Sequence, residues 1–281
     1  MKRTKSRRSC MRIACLGLLK MLIALTSTHL IAADEAETAH QSASHIKFVF
    51  SSPTSLPVRA CLSGKCKTIA PSQEMLESIE NGYSEISLDD LTLDGNPEVV
   101  LTHREEGNVN VCSNIYRYDL HSGFFSRLEI QPKQLCNYSI TNRQIISSYR
   151  SKAKWHEDIY SIKDDGLVLE ISDSCVGCDQ VERTVYLPGG KTEQLLVTNN
   201  IDHRLRTPLS TTITSRKATL YREPGLKAPT KMYLVEGDKV DLIAFTETEN
   251  SGFWYQIKYA TAKGKLIIAW LNCNDLRICQ M

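Results

Sequence analysis

Asp90-Leu91-Thr92-Leu93-Asp94-Gly95-Asn96-Pro97-Glu98 decides how the chain is read. Oxygen-bearing side chains recur at every second position, and the backbone is then offered a sharp turn at Gly95. Two apolar runs flank the stretch, Tyr83 to Leu88 and Val99 to Leu101, so it is expected to join two strands. Calcium takes six to eight oxygens, and alternate residues of a tight loop are able to converge on one ion. Asp90, Thr92 and Asp94 fill the first, third and fifth places of such a loop. Asn96 would offer its carbonyl and Glu98 stands at the ninth. Leu101 occupies the twelfth place, where an EF-hand carries a bidentate Glu. Two readings stay open: a weak calcium site at Asp90, Thr92, Asp94, Asn96 and Glu98, or a polar β-turn closed by an Asx-type hydrogen bond.

The chain has 281 residues, which suits two modest domains better than one. Its first 33 residues hold seven bases and no acid. A basic head, Lys2 to Arg12, precedes an apolar run, Ile13 to Ala33, and Ile31-Ala32-Ala33 offers a cleavage site before Asp34. This is the pattern of a secretory signal, interrupted by Lys20, with an uncleaved anchor as the alternative. Removing those seven bases from 34 leaves 27 against 32 acids, a net of −5. A mildly acidic mature chain argues against nucleic acid as a partner. The expected location is the periplasm, with no stable membrane span once the signal is cleaved.

Eight cysteines remain beyond the signal, an even number that on an exported chain implies disulfides. About 105 connectivities exist for eight cysteines. Closeness in sequence favours local pairs: Cys61 with Cys66, Cys112 with Cys136, Cys175 with Cys178, and Cys273 with Cys279. Cys175-Val176-Gly177-Cys178 lies between two strand-like runs. A structural staple in a hairpin turn is therefore preferred there over a redox or zinc site.

Residues 34–45 are polar and read as a flexible lead-in. Residues 46–200 read as an all-β domain of repeated antiparallel hairpins, propeller- or sandwich-like, with one short helix from Ser72 to Ile79. Ile115 to Ile130 and Ile159 to Ile171 each run strand, Gly turn, strand. Residues 199–212 are polar and carry Pro208, a domain boundary. Residues 213–281 form a second small β unit of five short strands.

That second unit resembles a bacterial SH3-like barrel. The resemblance rests on Pro224-Gly225, Gly237-Asp238-Lys239-Val240, Gly252-Phe253-Trp254 and Ala269-Trp270, and spans residues 213–276. Ala269 departs from the Gly usual before the last Trp. The resemblance implies a groove for a peptide or a peptidoglycan strand. Trp254 and Trp270 are assigned to the barrel core. Phe253 and Tyr255 alternate to the other face and are the candidate binding residues.

The first unit, over residues 83–171, resembles periplasmic β-domains that carry a degenerate FG-GAP-like calcium loop. The motif is strand, Asp90 to Glu98, strand, followed by Asn142 to Ser148 and Trp155-His156. Some members are immunity or inhibitor proteins of secreted hydrolases, so the resemblance implies a protein partner, a secreted effector or an envelope enzyme. No Gly-x-Ser-x-Gly elbow, phosphate loop or His-Glu-x-x-His spacing occurs. Enzyme chemistry thus has no residue-level support. The leading expectation is a non-enzymatic inhibitor acting through loops around residues 103–110 and 151–158. The alternative is an envelope module that binds peptidoglycan or a partner peptide through residues 213–281.

Overall fold

Glu98, Val99, Val100 and Leu101 are all at most 1% exposed. Alternation in a one-sided sheet buries every second residue, so a run like this needs cover on both faces. The rest of the N-terminal architecture supplies that cover. The computed structural model describes residues 46–52, 55–130, 134–163 and 166–280. The expected signal, residues 1–33, and lead-in, 34–45, lie outside the described residues.

The protein is all-β, built of repeated antiparallel hairpins with one α-helix among the described residues. The first sheet is a meander of β1 (Lys47–Ser52), β2 (Ser55–Leu62) and β3 (Lys65–Ile69). Helix α1 (Gln73–Glu80) follows. Ser72 caps it by accepting the Met75 N–H at 3.3 Å, and it buries Met75. The second sheet runs β4 (Glu85–Asp89), β5 (Glu98–His103), β6 (Cys112–Asp119) and β7 (Phe124–Arg127), and β8 (Leu135–Cys136) pairs with β6.

The third sheet is a six-stranded meander in chain order. Its strands are β9 (Ser139–Thr141), β10 (Gln144–Ser151), β11 (Lys154–Lys163), β12 (Gly166–Val176), β13 (Gln180–Leu187) and β14 (Lys191–Thr198). The fourth comprises β15 (Ser210–Thr212), β16 (Ala218–Tyr221), β17 (Pro229–Leu234), β18 (Lys239–Thr248), β19 (Gly252–Ala260) and β20 (Leu266–Asn272). Its spatial order is β15-β18-β19-β20-β16-β17.

Strand β5 explains the packing. Val99 and Leu101 point into a core with Phe48, Val58, Met75, Tyr116 and Phe125, between the first sheet, α1 and the second sheet. Val100 points the other way, into a core with Leu91, Ile115, Leu135, Ile145 and Tyr160 that joins the second sheet to the third. A third core fills the C-terminal sheet and includes Leu196 of β14. The polar stretch 199–212, expected as a boundary, already holds β15, the first strand of the C-terminal sheet. That sheet has six strands where five were expected. The difference arises because Ser210 to Thr212 carry no apolar alternation and are recruited by pairing with β18.

Truncating Leu101 to Ala removes contacts inside a fully buried strand and is expected to cost about 2–5 kcal/mol. Leu93→Ala, on a side chain 39% exposed, should cost less than about 0.5 kcal/mol. Urea unfolding with an unchanged slope checks both; equal midpoints for the two variants would contradict the two-core account.

Candidate functional site

The acidic loop is closed by its own hydrogen bonds. Asp90 accepts the N–H groups of Asp94 at 3.2 Å and Gly95 at 3.0 Å. Asp94 accepts the Asn96 N–H at 2.7 Å, and Asn96 accepts the Ile46 N–H at 3.2 Å. Glu98 points inward. Its carboxylate accepts the Leu91 N–H at 2.8 Å, the Thr92 hydroxyl at 2.9 Å and the Arg117 Nε–H at 3.2 Å. Thr92 and Glu98 are buried while Asp94 is exposed. Among the described residues no group of three His, Cys, Asp or Glu stands close enough to hold a metal ion. Of the two readings left open by the sequence, the geometry on view is the Asx-type turn. Burial pushes the Glu98 carboxyl above its ordinary value, and the three donors only partly offset this.

The two loops named from the sequence come together. Asn110 donates to the Arg150 carbonyl at 2.9 Å and accepts the Arg150 N–H at 2.7 Å, so its amide mimics a paired strand residue. Asn137 donates to the carbonyls of Val109 and Ser148, both at 3.0 Å, and accepts the Val111 N–H at 3.2 Å. The Cys112–Cys136 disulfide joins β6 to β8 beside it. Residues 104–111 are thereby stapled to the end of β10. The second stretch proves shorter than expected. Only Lys152 and Ala153 form the turn, and Lys154 to Asp158 already belong to β11. Val109 is 47% and Trp155 39% exposed.

Trp155 pairs across β12 with Val176, next to a β-bulge at Cys175, whose φ is +63°. A non-glycine residue in this region is strained by roughly 1–2 kcal/mol. The Cys175–Cys178 disulfide spans the turn that follows. Cys175 and Val176 end β12, and Gly177 and Cys178 lie in the turn before β13. Cys61–Cys66 and Cys273–Cys279 complete the four local pairs.

Beyond the loop end, the third sheet carries a buried charge network. Arg183 holds Asp173 through two bonds of 2.7 and 2.6 Å and donates to the His203 carbonyl at 2.9 Å. Arg206 also bonds Asp173, stands 2.8 Å from Glu157 and donates to the Asn200 carbonyl at 2.8 Å. These contacts clamp residues 199–206 onto the sheet. His203 is 4% exposed, and burial pushes its pKa down, with Arg183, Arg206 and Arg204 adding to the shift and Asp202 opposing it. Register alone brings Asp173 opposite Arg183, and no local pattern announces it.

The aromatic pair assigned to the C-terminal unit divides. Phe253 is 47% exposed, but Tyr255 is 7% exposed and lies in the core, its hydroxyl accepting from Gln180 at 2.9 Å. Both share one face of β19. That face turns inward over the core at Tyr255 and overhangs it at Phe253, so Tyr255 is removed from the binding set. Trp254 is fully buried on the opposite face, edge-on to Tyr221 at 4.9 Å. Trp270 is half-buried.

No protein-family model matches the chain, and no curated protein matches it. One solved structure, described as "Structure of a Xanthomonas Type IV Secretion System related protein", superposes with a TM-score of 0.32 at 14% identity. The match covers 57% of this chain and 84% of that one. A likeness that slight carries no argument about fold or role.

Because the oxygens of Asp90, Asp94 and Glu98 already hold protein donors, millimolar calcium is expected to leave the melting temperature unchanged in calorimetry. A rise that Asp90→Ala abolishes would restore the metal reading. The second expectation concerns pH. The His203 pKa is lower folded than unfolded, so its contribution is complete above about 6.5 and is lost as pH falls through the folded value. Glu98 and Asp158, both raised by burial, act with the opposite sign at lower pH. Thermal melts from pH 7.5 to 5 should show wild type losing more stability than His203→Gln; parallel curves would refute the assignment.

Proposed function

We propose that this is a non-enzymatic binding protein of the periplasm that inhibits a secreted hydrolase by occluding its cleft, in the manner of an immunity protein. The observation that carries the reading is the stapled pair of loops. Residues 104–111 and the turn at 152–153 are fixed by Asn110, Asn137 and Cys112–Cys136, and Val109 on the first and Trp155, at the start of β11 beside the second, are exposed to solvent. Loops already held in one geometry lose little freedom on binding, which favours insertion into a cleft. A partly exposed Trp is the residue type most often found at binding hot spots.

Two further facts support the reading. Four disulfides fit an oxidising compartment. Acids also outnumber bases beyond residue 33. A cationic partner, such as an enzyme that works on an anionic envelope, would be steered toward such a surface. No helix among the described residues is long and apolar enough to cross a membrane.

A second reading draws on exposed apolar side chains of the C-terminal sheet, Met232, Tyr233, Phe253, Leu266 and Ile268. It makes the protein an envelope module that binds peptidoglycan or a partner peptide. Retention on purified sacculi that is lost in Phe253→Ala would favour it.

The main reading is tested with a panel of secreted envelope-cleaving hydrolases. Trp155→Ala should weaken inhibition by about 2 kcal/mol or more, roughly 30-fold, with little change in melting temperature. Phe124→Ala, 68% exposed elsewhere, should leave it intact. Protection of cells by protein that cannot be exported would sink the proposal.

A further inference from the structure

Small hydroxyl side chains cluster on one face of the third sheet where four strands meet. Register places Asp158 opposite Ser172, His156 opposite Ser174, Ser172 opposite Thr184, Ser174 opposite Glu182, and Thr184 opposite Gln194. All of these therefore share that face. Above them lie Ile243 and Ala244, at the bulge of β18 in the C-terminal sheet. The space between is a cavity of 270 Å³. Its floor is made of small hydroxyl side chains, with an amide and an imidazole at the edge.

Asp173 and Arg183 also line the cavity, and there the charges are already satisfied, because the two are paired with each other at 2.6 Å. Asp158 is 2% exposed and accepts the hydroxyls of Ser172 and Tyr149. The Ser172 hydroxyl donates to Asp158, which leaves its oxygen able to accept. Glu182 is paired with Lys154 at 3.1 Å. His156 stacks on Tyr149 at 5.1 Å, and burial favours its neutral form. The side chains of Ser174, Thr184 and Gln194 form no hydrogen bond with other described residues. Donors and acceptors thus stand free in the cavity, its one lining guanidinium, Arg183, is committed to Asp173, and Ile243 and Ala244 add apolar surface.

We infer that this cavity binds a neutral polyhydroxylated molecule the size of one pyranose ring. Its hydroxyls would meet Ser172, Ser174, Thr184, Gln194 and His156, and its C–H face would rest on Ile243 and Ala244. Unlike an amine, it needs no carboxylate. Unlike a carboxylate or phosphate, it needs no guanidinium. Unlike an apolar ligand, it leaves no floor hydroxyl unpaired. The site is separate from the stapled loops and does not rest on the inhibitor reading.

The test titrates glucose and N-acetylglucosamine, with glucuronate as the charged control, into the isotopically labelled full chain and follows the amides of Ser172 and Thr184 by NMR. Saturable shifts with a Kd on the order of 1 mM are expected for a neutral sugar. Thr184→Val, nearly isosteric, should weaken binding about tenfold, and Ser174→Leu, which fills the floor, should abolish it. Absence of saturable shifts with both neutral sugars overturns the inference, as does unchanged binding in Ser174→Leu. Glucuronate binding as tightly as glucose also overturns it. Should Ser174→Leu fail to fold, Thr184→Val decides alone.

Discussion

Glu98 sits where water does not reach, and its carboxylate gathers a backbone N–H, a hydroxyl and a guanidinium from Leu91, Thr92 and Arg117. Breaking such an arrangement by removing one partner leaves a buried charge uncompensated, typically a loss of about 3–5 kcal/mol. The cost of burying the carboxylate is visible in its raised pKa. What it secures is the start of β5. With Glu98 anchored, Val99, Val100 and Leu101 follow in a register that sends alternate side chains into two different cores. A shift of one residue would exchange those cores and put the carboxylate on the wrong face. The acidic loop is thus a register device, and Arg117 supplies the positive charge that organises its last oxygen.

A second buried carboxylate performs a related task further along. Asp173 lies between Arg183 of its own sheet and Arg206 of the connecting segment. The segment leading into β15 is consequently tied to the third sheet before the fourth begins. Leu196 then packs into the C-terminal core, and Lys258 reaches Glu193 at 3.0 Å. Apolar contact and directional charge act together there. The hydrophobic term supplies area, and the ion network selects one placement of the segment.

What the sequence announced and what it hid follow from the range of each interaction. Hairpins, the Ser72 cap and the four disulfides are local features, legible from alternation, turn residues and short spacings. Residues 103–110 were distinguishable as a loop and 151–158 only in its turn at 152–153, and their contact depends on Asn110 and Asn137, two amides with no special local context. Asp173, Arg183 and Arg206 meet only through register and a connecting segment. Tyr255 shows the limit of alternation, which gives the face of a strand but not where along it the core ends. The acidic loop was read from oxygen spacing alone. Spacing does not reveal that Glu98 turns inward to Arg117, nineteen residues away.

Rigidity at the loop end is the property that matters most for a binding role. A surface of ordinary size reaches high affinity only when few side chains must be ordered on contact. Here the ordering is done during folding by two asparagine amides, a disulfide and the bulge at Cys175. Together they fix the backbone and leave Val109 and Trp155 exposed to solvent. The buried charge networks pair their members within the protein. The exposed loop surface and the internal register therefore draw on different side chains. Substitutions at Val109 or Trp155 would change the exposed surface without loosening the framework that presents it.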